Sequence, residues 1–293
     1  MTVGLVVVTF RCKADVLRCL DSARRWAPEL LAHTVVVDNA SADGTAEAVR
    51  SAFPEVCLVE NARNLGFAAA ANIGLALLRS SCDAILLLNP DAELQDAGVR
   101  DAASFLAERG EYGVLGLRVE NPDGSVQLSC RRFPGHLNAF FNRHSLLTKL
   151  APGNRWSREY LLSDWAHDEI RDVDWVSGAA MLIHRRALDA VGLLDPDFFF
   201  SIEDVDFCRR VWGAGLKVGY FPGATVRHRI GGSSSRAPVR AMVAHHLGMW
   251  RYYRKHYPRR WWLDAATAAG IGSRLALHLA SHAVRRAAAR VRR

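Results

Sequence analysis

Two acidic segments carry side chains that could do chemistry in this sequence. The first, Asp38–Asp43, follows the apolar run Thr34–Val37, and the second, Asn89–Glu93, follows the apolar run Ala84–Leu88. Each segment therefore begins where a predicted strand ends. In open α/β sheets, ligands bind beyond the carboxyl ends of the strands. We therefore expect the two segments to form opposite ends of one binding site.

The two ends suit different parts of one ligand. Asp38 could accept a hydrogen bond from the N–H of a pyrimidine base, with Asn39 and Thr9 closing the base pocket. Asp91, with Glu93 two residues later, could hold a hard divalent cation that bridges substrate phosphates. Each segment alone could also be an ordinary turn with a helix cap. Their combination at one sheet edge favours a site for a sugar nucleotide.

A third acidic group follows the aromatic run Phe198–Phe200. Glu203, Asp204 and Asp206 lie at the start of a predicted helix, beside that apolar wall. A carboxylate in such surroundings can have its pKa raised towards that of a useful base. The alternative is that these acids complement the helix dipole, with Arg209 and Arg210 as partners. That alternative explains one acid better than three.

His228 ends the strand-like segment that begins at Thr225 and precedes the Gly/Ser-rich stretch 231–235. An isolated histidine is most often structural. A histidine at a strand end, before a flexible loop, is nevertheless well placed to reach a site.

The surrounding pattern predicts an α/β fold. Strands and helices alternate from Val3 to Ala107, with predicted strands Thr2–Thr9, Thr34–Val37, Val56–Val59 and Ala84–Leu88 and predicted helices Asp15–Trp26, Thr45–Ala52, Phe67–Leu78 and Asp96–Ala107. This order predicts a mostly parallel nucleotide-binding sheet flanked by helices on both faces. After Glu120 the order becomes mixed, with a polar loop region to about Asp172. No G-x-G-x-x-G follows the first strand, which disfavours a dinucleotide site.

These motifs together resemble the inverting GT-A glycosyltransferases of family 2, and among them the rhamnosyltransferase-like group. The resemblance runs from Val3 to about His256 and rests on V-V-V-T-F, V-D-N-A-S-A-D-G-T, N-L-G-F, L-L-L-N-P-D, W-V-S-G-A-A-M-L-I, F-F-F-S-I-E-D-V-D-F-C-R-R and V-R-H. It implies a GT-A fold with a basic, helical C-terminal extension. Members of the group act on lipid-linked or polysaccharide acceptors.

The resemblance also implies roles for individual residues. The nucleotide-binding residues would be Thr9, Asp38, Asn39, Gly66 and Asn89. Asp91 and His228 would hold a divalent metal, Mg or Mn, although Asn89 replaces the first acid of the family's D-x-D motif. Asp204 would be the catalytic base, with Glu203 and Asp206 as supports. The acceptor pocket would comprise Trp175, Ser177, Gly178 and Asp206.

The implied activity is metal-dependent, inverting transfer of L-rhamnose from dTDP-rhamnose onto a lipid-linked or polysaccharide acceptor in cell-envelope glycan synthesis. A UDP-linked hexose or galactofuranose donor remains an alternative. A sugar-phosphate nucleotidyltransferase would share the sheet and the metal, but it normally has a glycine-rich loop after the first strand, and Thr9–Lys13 has no glycine. A non-enzymatic nucleotide-sugar binding protein would have no use for the acids at Glu203–Asp206.

Charge divides the chain at about residue 235. Residues 1–235 carry 25 Lys/Arg and 29 Asp/Glu, whereas residues 236–293 carry 13 Lys/Arg and one acid, Asp264. We therefore predict a catalytic domain over 1–235, with a donor half at about 1–120 and an acceptor half at about 121–235. Residues 236–293 would form a basic and aromatic helical tail.

The tail interleaves aromatic and basic residues from His245 to Trp262. That composition suits an anionic membrane surface, and we predict no nucleic acid partner. A helix packed on the catalytic domain with a solvated basic face is the alternative. Polar residues interrupt Leu263–Val284, so no transmembrane span is expected.

The predicted location is cytoplasmic, peripheral on the inner face of the plasma membrane. Two features support it: the absence of a basic leader before the first strand, and six scattered cysteines that indicate reduced thiols. The oligomeric state is left open.

Overall fold

The computed structural model describes residues 1–136, 155–229 and 238–291. The strands are β1 (Val3–Thr9), β2 (Thr34–Asp38), β3 (Cys57–Glu60), β4 (Ala84–Leu88), β5 (Ala92–Leu94), β6 (Tyr112–Glu120), β7 (Cys130–Arg131), β8 (Arg171–Asp172), β9 (Trp175–Val176), β10 (Ala180–His184) and β11 (Lys217–His228). The helices are α1 (Lys13–Trp26), α2 (Thr45–Ala52), α3 (Phe67–Leu78), α4 (Val99–Glu108), α5 (Arg155–Leu161), α6 (Arg185–Val191), α7 (Glu203–Gly213), α8 (Pro238–His256) and α9 (Trp261–Val291), with a 3-10 helix at Pro28–His33.

One mixed sheet forms the centre of the described structure. Its strand order is β3-β2-β1-β4-β10-β6-β11-β5, and β8 pairs with β11. The first four strands in this order are parallel. Strand β10 then runs antiparallel to both β4 and β6, whereas β11 is parallel to β6. The carboxyl ends of β2, β1 and β4 therefore meet at one edge, where Asp38, Thr9 and Asn89 follow one another across the sheet.

Helices cover both faces of the sheet, as the α/β pattern predicted. Strand residues alternate between the two layers: Leu5 and Val7 pack on one side and Val6 and Val8 on the other. Helices α1, α2 and α4 supply the first layer, and α3, α6 and α7 supply the second. Both layers are apolar and closely packed, so the strand ends that carry the polar groups are held rigidly.

The tail helices α8 and α9 pack on the second layer. Tyr252 is completely buried there, and its hydroxyl accepts a hydrogen bond from Arg209 of α7 at 2.9 Å. Tyr253 donates to the carbonyl of Gly135 at 2.6 Å, and Arg254 joins Asp264 across the two tail helices at 2.7 Å. The tail is therefore docked on the body. No helix in the described ranges has an apolar stretch long enough to cross a membrane.

The sequence prediction differs from the structure mainly after residue 120. Helix α5 and the short strands β7 and β8 lie within the region predicted as a polar loop. The antiparallel strand β10 makes the second half of the sheet mixed, as the change of order after Glu120 had indicated. The predicted domain boundary at 235 and the Gly/Ser-rich stretch 231–235 lie outside the described residues.

Candidate active site

Asp38 is fixed at the end of β2, next to Thr9 at the end of β1. The backbone N–H of Asn39 donates to the carbonyl of Thr9 at 2.8 Å, which ties the two strand ends together. The Asp38 carboxylate accepts from the backbone N–H of Ser41 at 3.1 Å and from the Ser41 hydroxyl. Asp38 is only 4% exposed. Its carboxylate therefore has a single orientation at the sheet edge, which suits a hydrogen-bond acceptor for a base.

Asn39 connects this turn to the loop before α3. Its Oδ1 accepts from Asn61 Nδ2 at 3.1 Å and from the Leu65 N–H at 2.9 Å. Its Nδ2 donates to Asn64 Oδ1 and to the Gly66 carbonyl, both at 3.1 Å. All the hydrogen-bonding capacity of this side chain is used within the protein. Asn39 thus positions the loop, and its predicted contact with the nucleotide stays a prediction.

Gly66 lies where that loop meets the segment before α7. Its φ is 89°, and a Cβ at this position would approach the Phe199 carbonyl oxygen to 2.6 Å. The next N–H, of Phe67, donates to the same oxygen at 2.8 Å. Only glycine fits this position. Gly66 therefore brings the loop of the donor half against the aromatic run that leads to the acids at Glu203–Asp206.

Asp91 and His228 meet beyond the ends of β4 and β11, with 3.2 Å between Asp91 Oδ1 and His228 Nε2. The orientation of the histidine follows from Gln127, which sequence reasoning missed. Gln127 Nε2 donates to Asn121 Oδ1 and to the His228 carbonyl, both at 2.9 Å, so its Oε1 faces His228 Nδ1 at 3.0 Å. Nδ1 therefore carries a proton, and Nε2 is directed at the carboxylate.

These two groups fit a divalent cation. With Nδ1 protonated, a neutral His228 presents its Nε2 lone pair to a carboxylate oxygen, and a cation between two such acceptors would stabilise both. Glu93 forms ion pairs with Arg18 at 3.3 Å and with Arg229 at 3.7 Å. Its carboxylate is therefore not directed at the Asp91–His228 pair. In the described part of the chain, no group of three His, Cys, Asp or Glu side chains could hold a metal. The remaining ligands would have to be water and substrate phosphate, which Mg²⁺ and Mn²⁺ commonly use.

Asn89 lies directly before this pair. Its backbone N–H donates to the carbonyl of Ala179 at 3.0 Å, and its own carbonyl accepts from Ala92 at 3.1 Å. The turn after β4 is thereby tied to the start of β10. Asn89 thus lies at the sheet edge between the nucleotide end and the Asp91–His228 pair.

Asp204 is oriented by the backbone. Its Oδ2 accepts from the Gly178 N–H at 3.0 Å and its Oδ1 from the Val205 N–H at 2.9 Å. Burial raises the pKa of Asp204 above its ordinary value, although both hydrogen bonds and the nearby Arg131 oppose the rise. A carboxylate that is fixed in position and has a raised pKa suits a general base.

Glu203 lies beside Asp204 but has different surroundings. It is 5% exposed, and its Oε2 has no hydrogen-bond partner among the described residues. Burial raises its pKa well above the ordinary value, and the neighbouring Asp204 raises it further. Glu203 therefore favours the neutral acid, which leaves Asp204 as the ionised member of the two.

A cavity of about 520 Å³ opens beside Asp204. Two predicted acceptor-pocket residues, Trp175 and Ser177, line it together with Asp204. Gly178 lies at its edge, where a Cβ would be 3.9 Å from Asp204 Cβ. The opposite wall comes from α5, α8 and α9. We call this space the acceptor cavity; the prediction from sequence included none of the tail residues that line it.

Asp206, predicted for the acceptor pocket, does not line this cavity and is completely buried. Its carboxylate is 2.8 Å from Arg210, 2.8 Å from Lys255 and 2.7 Å from His256. Burial alone would raise the pKa of Asp206, but hydrogen bonds from these three side chains lower it to about 2. The residue therefore fastens α8 to α7. Its two-residue offset from Asp204 on a helix is the physical reason that it faces away from the cavity.

Comparison with known proteins identifies the family. Residues 5–163 match the model of Glycosyl transferase family 2. The chain belongs to glycosyltransferase family 2. It is 29% identical over 279 residues to an N-acetylglucosaminyl-diphospho-decaprenol L-rhamnosyltransferase of Mycobacterium tuberculosis, and the alignment covers 90% of both chains.

Solved structures confirm the GT-A fold. The mannosyltransferase PcManGT of Pyrobaculum calidifontis, in complex with GDP-Man and Mn²⁺, has a TM-score of 0.59 at 17% identity, covering 97% of this chain and 79% of that one. GalNAc-T7, with UDP, GalNAc and Mn²⁺, has a TM-score of 0.56 at 16% identity, covering 79% of this chain but only 44% of that longer one. The predicted family, fold class and enzyme class are thus confirmed. The two alternatives, a sugar-phosphate nucleotidyltransferase and a non-enzymatic binding protein, do not apply to a chain of this family.

Proposed function

We propose that this glycosyltransferase transfers L-rhamnose from dTDP-rhamnose, with inversion, to a lipid-linked acceptor sugar in cell-envelope glycan synthesis. The observation that carries the proposal is Asp204, a single carboxylate fixed by two backbone N–H groups in the wall of a cavity. The rhamnosyltransferase relative, similar along nearly the whole chain, supports the donor sugar and the diphospho-lipid acceptor.

One displacement accounts for the reaction. An acceptor hydroxyl in the acceptor cavity would give its proton to Asp204 while its oxygen forms a bond to the anomeric carbon of the donor. The bond from that carbon to the phosphate oxygen would break, and its electron pair would leave with the nucleoside diphosphate. Attack from the face opposite the leaving group inverts the configuration, so no enzyme nucleophile is needed. Burial makes Asp204 a stronger base than an exposed aspartate and therefore assists the proton transfer.

The donor would lie along the edge formed by β1, β2 and β4. In this arrangement Asp38, Thr9 and Gly66 surround the base and ribose, and Asn89 lies beside the diphosphate. Asp91 and His228 would hold Mg²⁺ or Mn²⁺, with Gln127 fixing the histidine. When bound, the cation neutralises charge on the leaving diphosphate.

The tail would keep the enzyme near its acceptor. Trp261 and Trp262, at the start of α9, are 84% and 53% exposed, and exposed arginines precede them at 259 and 260. Such a combination of aromatic and basic residues suits the interface of an anionic membrane. We therefore propose a peripheral enzyme on the cytoplasmic face of the plasma membrane. In this proposal residues 1–235 are the catalytic domain and residues 236–293 the tail.

The test is direct transfer by the purified protein. dTDP-rhamnose, UDP-glucose and UDP-galactofuranose are each incubated with N-acetylglucosaminyl-diphospho-prenol, with Mg²⁺, with Mn²⁺ or with excess EDTA. We expect product only from dTDP-rhamnose and only with metal, and NMR of the product should show an inverted anomeric centre. Transfer from a UDP-sugar instead would overturn the donor assignment, and full activity in EDTA would overturn the metal.

A further inference from the structure

The acceptor cavity has an excess of positive charge, which two arginines supply. Its wall includes Arg131 of β7 and Arg274 of α9, together with the histidines His245, His246 and His278. In the described part of the chain, Asp204 is the only carboxylate that lines the cavity. A cavity of this composition attracts an anion, and the same cavity holds the predicted base.

Arg274 belongs to the inward face of α9. The inward positions recur at helical spacing and are occupied by Asp264, Thr267, Ile271, Arg274 and His278. Asp264 pairs with Arg254, and Thr267 bonds His136 at 2.8 Å, so these two polar groups have structural partners. Arg274 differs from them. No carboxylate among the described residues forms an ion pair with it, and its buried Nε has no hydrogen-bond partner there.

Arg274 is half-buried, and the part of its guanidinium that includes Nε has lost its hydration without gaining a hydrogen-bond partner among the described residues. Burial lowers the pKa of Arg274, because the charged form loses its hydration. Its only polar contact among the described residues is between Nη2 and His245 Nε2, at 3.3 Å. Placing an arginine without a partner beside a cavity costs folding free energy. A bound anion would supply the missing partner and explain why the arginine is there.

A second unpartnered group lies in the same wall. His246 is 2% exposed, and its Nδ1 lies 2.7 Å from the Met242 carbonyl, so Nδ1 carries a proton and donates. Its Nε2 is buried and has no partner among the described residues. Among the described residues, Arg274 Nε is therefore a donor without a partner and His246 Nε2 an acceptor without one, so only the arginine can bind an anion directly.

We propose that Arg274, with Arg131, binds the diphosphate of a prenyl-diphosphate-linked acceptor and thereby sets the acceptor sugar against Asp204. The inference rests on the proposed function, because it assigns the anion to the acceptor of that reaction. Planar guanidinium groups bind phosphate oxygens through paired hydrogen bonds, and two arginines match the charge of a diphosphate ester.

The rest of the cavity fits the lipid end of such an acceptor. Leu161, Met242 and Met249 supply apolar wall beside the basic groups. The first isoprene unit would contact these side chains, while the sugar lies on the side of Trp175 and Asp204. The tail therefore forms part of the acceptor site, in addition to any role at the membrane surface.

Two acceptors that differ only in their linkage test the proposal. One is N-acetylglucosaminyl-diphospho-geraniol and the other is octyl β-N-acetylglucosaminide, which has no phosphate. The measured quantity is the ratio of their kcat/KM values. We expect Arg274→Met to lower this ratio about 10- to 100-fold, the usual worth of one or two hydrogen bonds to a charged group. The ratio for Arg274→Lys should lie between those of the wild type and Arg274→Met, because lysine keeps the charge but lacks the planar guanidinium group.

Arg285→Met is the matched control, because Arg285 is exposed on the same helix and its loss removes the same tail charge. We expect the control to keep the wild-type ratio. An unchanged ratio in Arg274→Met, or an equal fall in Arg285→Met, would overturn the proposal.

A binding measurement separates this proposal from the proposed function. Calorimetry with geranyl diphosphate, in the presence of saturating dTDP, needs no transfer. Wild-type binding that is lost in Arg274→Met supports the diphosphate site even if no donor gives product. Three results would overturn the diphosphate site. The wild type does not bind geranyl diphosphate, Arg274→Met binds it as tightly as the wild type, or the wild type binds it only when dTDP is left out.

Thermal unfolding checks the fold of the variants. Since no carboxylate in the described part of the chain pairs with Arg274, Arg274→Met should have a melting temperature equal to or above that of the wild type. If Arg274→Met fails to fold, Arg274→Lys and Arg131→Met replace it in the kcat/KM comparison and in the calorimetry. A lower ratio and weaker binding of geranyl diphosphate would support the proposal, and unchanged values would overturn it.

Discussion

Glu203 and Asp204 are adjacent in sequence and both buried, yet their surroundings favour the neutral form of Glu203 and the ionised form of Asp204. Two backbone N–H groups bind the Asp204 carboxylate, and these bonds favour its ionised form. Glu203 Oε2 has no partner in the described structure, and the charge of Asp204 acts against its ionisation. The pair therefore carries one negative charge, which lies on the residue that lines the acceptor cavity.

The first prediction concerns the base. Asp204→Asn should retain binding of dTDP-rhamnose in calorimetry but lose about 10²- to 10⁴-fold in turnover, the usual contribution of a positioned base. Glu203→Gln should lose less, because a neutral amide resembles the neutral acid. A greater loss in Glu203→Gln than in Asp204→Asn would move the base to residue 203.

The second prediction concerns stability against pH. The pKa of Glu203 is raised in the folded state, so its contribution is complete below the ordinary glutamate pKa and is lost as pH rises through the folded value. The melting temperature of the wild type should therefore fall relative to that of Glu203→Gln as pH rises from about 4 to 8. A constant difference between the two proteins across this range would contradict the raised pKa.

Gln127 gives the third prediction. Because its Oε1 fixes the His228 ring, Gln127→Ala should raise the Mn²⁺ concentration for half-maximal activity about 10- to 100-fold, as loss of such a support typically does. Excess Mn²⁺ should restore much of the activity, whereas Asp91→Ala should stay inactive. Gln95→Ala is the control, since Gln95 Nε2 bonds only to the carbonyls of Glu93 and Leu94. A normal Mn²⁺ requirement in Gln127→Ala would show that the glutamine is dispensable.

At this scale the sequence predicted the acids and His228 but not their supports. Strand ends and an acidic helix start are local signals, so Asp38, Asp91 and Asp204 could be selected from the pattern. Gln127 lies 101 positions before His228 in the chain, and its role depends on pairing that no local pattern encodes. Asn39 was selected for a ligand contact, which stays a prediction, and the structure adds a role in positioning the loop before α3 that no local pattern indicated.

Among the elements, the docking of α8 on α7 depends on Asp206. This carboxylate is completely buried and faces Arg210, Lys255 and His256. Removing the charge would leave the cationic Arg210 and Lys255 around a neutral amide. The arrangement joins the helix that carries the predicted base to the helix that forms the far wall of the acceptor cavity.

The fourth prediction follows for Asp206→Asn. Breaking a buried ion pair from one side typically costs about 3–5 kcal/mol, so the free energy of unfolding at pH 7 should fall by that order. Because the pKa of Asp206 is lowered to about 2, the wild type should lose this stabilisation as pH falls from about 4 towards 2. Denaturant unfolding of both proteins at pH 7 and pH 3 measures this. Equal stability at pH 7 would contradict a stabilising role for the cluster.

The predicted elements match the structure most closely where helices and strands alternate. Helices α2 and α3 and strand β4 have the predicted bounds, because apolar periodicity and turn residues mark them locally. Helix α5 and the two-residue strands β7 and β8 were not predicted. Such short segments bury little by themselves and form because β9, β11 and the tail pack against them.

For the whole molecule, the charge asymmetry was evident from composition, but its distribution depends on docking. Lys255 and Arg254 belong to the tail, yet both are committed to acids within the protein. Among the described side chains of the tail, exposed arginines include those at 240, 259, 260, 285 and 286. The surface charge available to a membrane is therefore smaller than the net charge of the segment.

The last prediction concerns membrane binding. Each exposed basic residue near an anionic surface contributes about 1 kcal/mol and is screened within about 8–10 Å at physiological salt. Arg259 and Arg260, directly before Trp261 and Trp262, would together with these two rings give reversible binding. We expect sedimentation with anionic but not neutral liposomes, weakened by high salt and reduced in the Trp261→Ala, Trp262→Ala double variant. Leu77→Ala, which removes an exposed apolar side chain from α3, should bind like the wild type.

Point variants are needed here because truncation of the tail would also remove Arg274 from the acceptor cavity. A shortened chain would lose transfer to a lipid-linked acceptor whether or not α9 contacts a membrane, so the two roles could not be separated. The double tryptophan variant leaves the inward face of α9 intact and should keep its kcat/KM for N-acetylglucosaminyl-diphospho-geraniol in detergent, while losing activity on the long-chain acceptor in anionic vesicles. Equal binding of the wild type to neutral and anionic liposomes would instead assign the tail to packing alone.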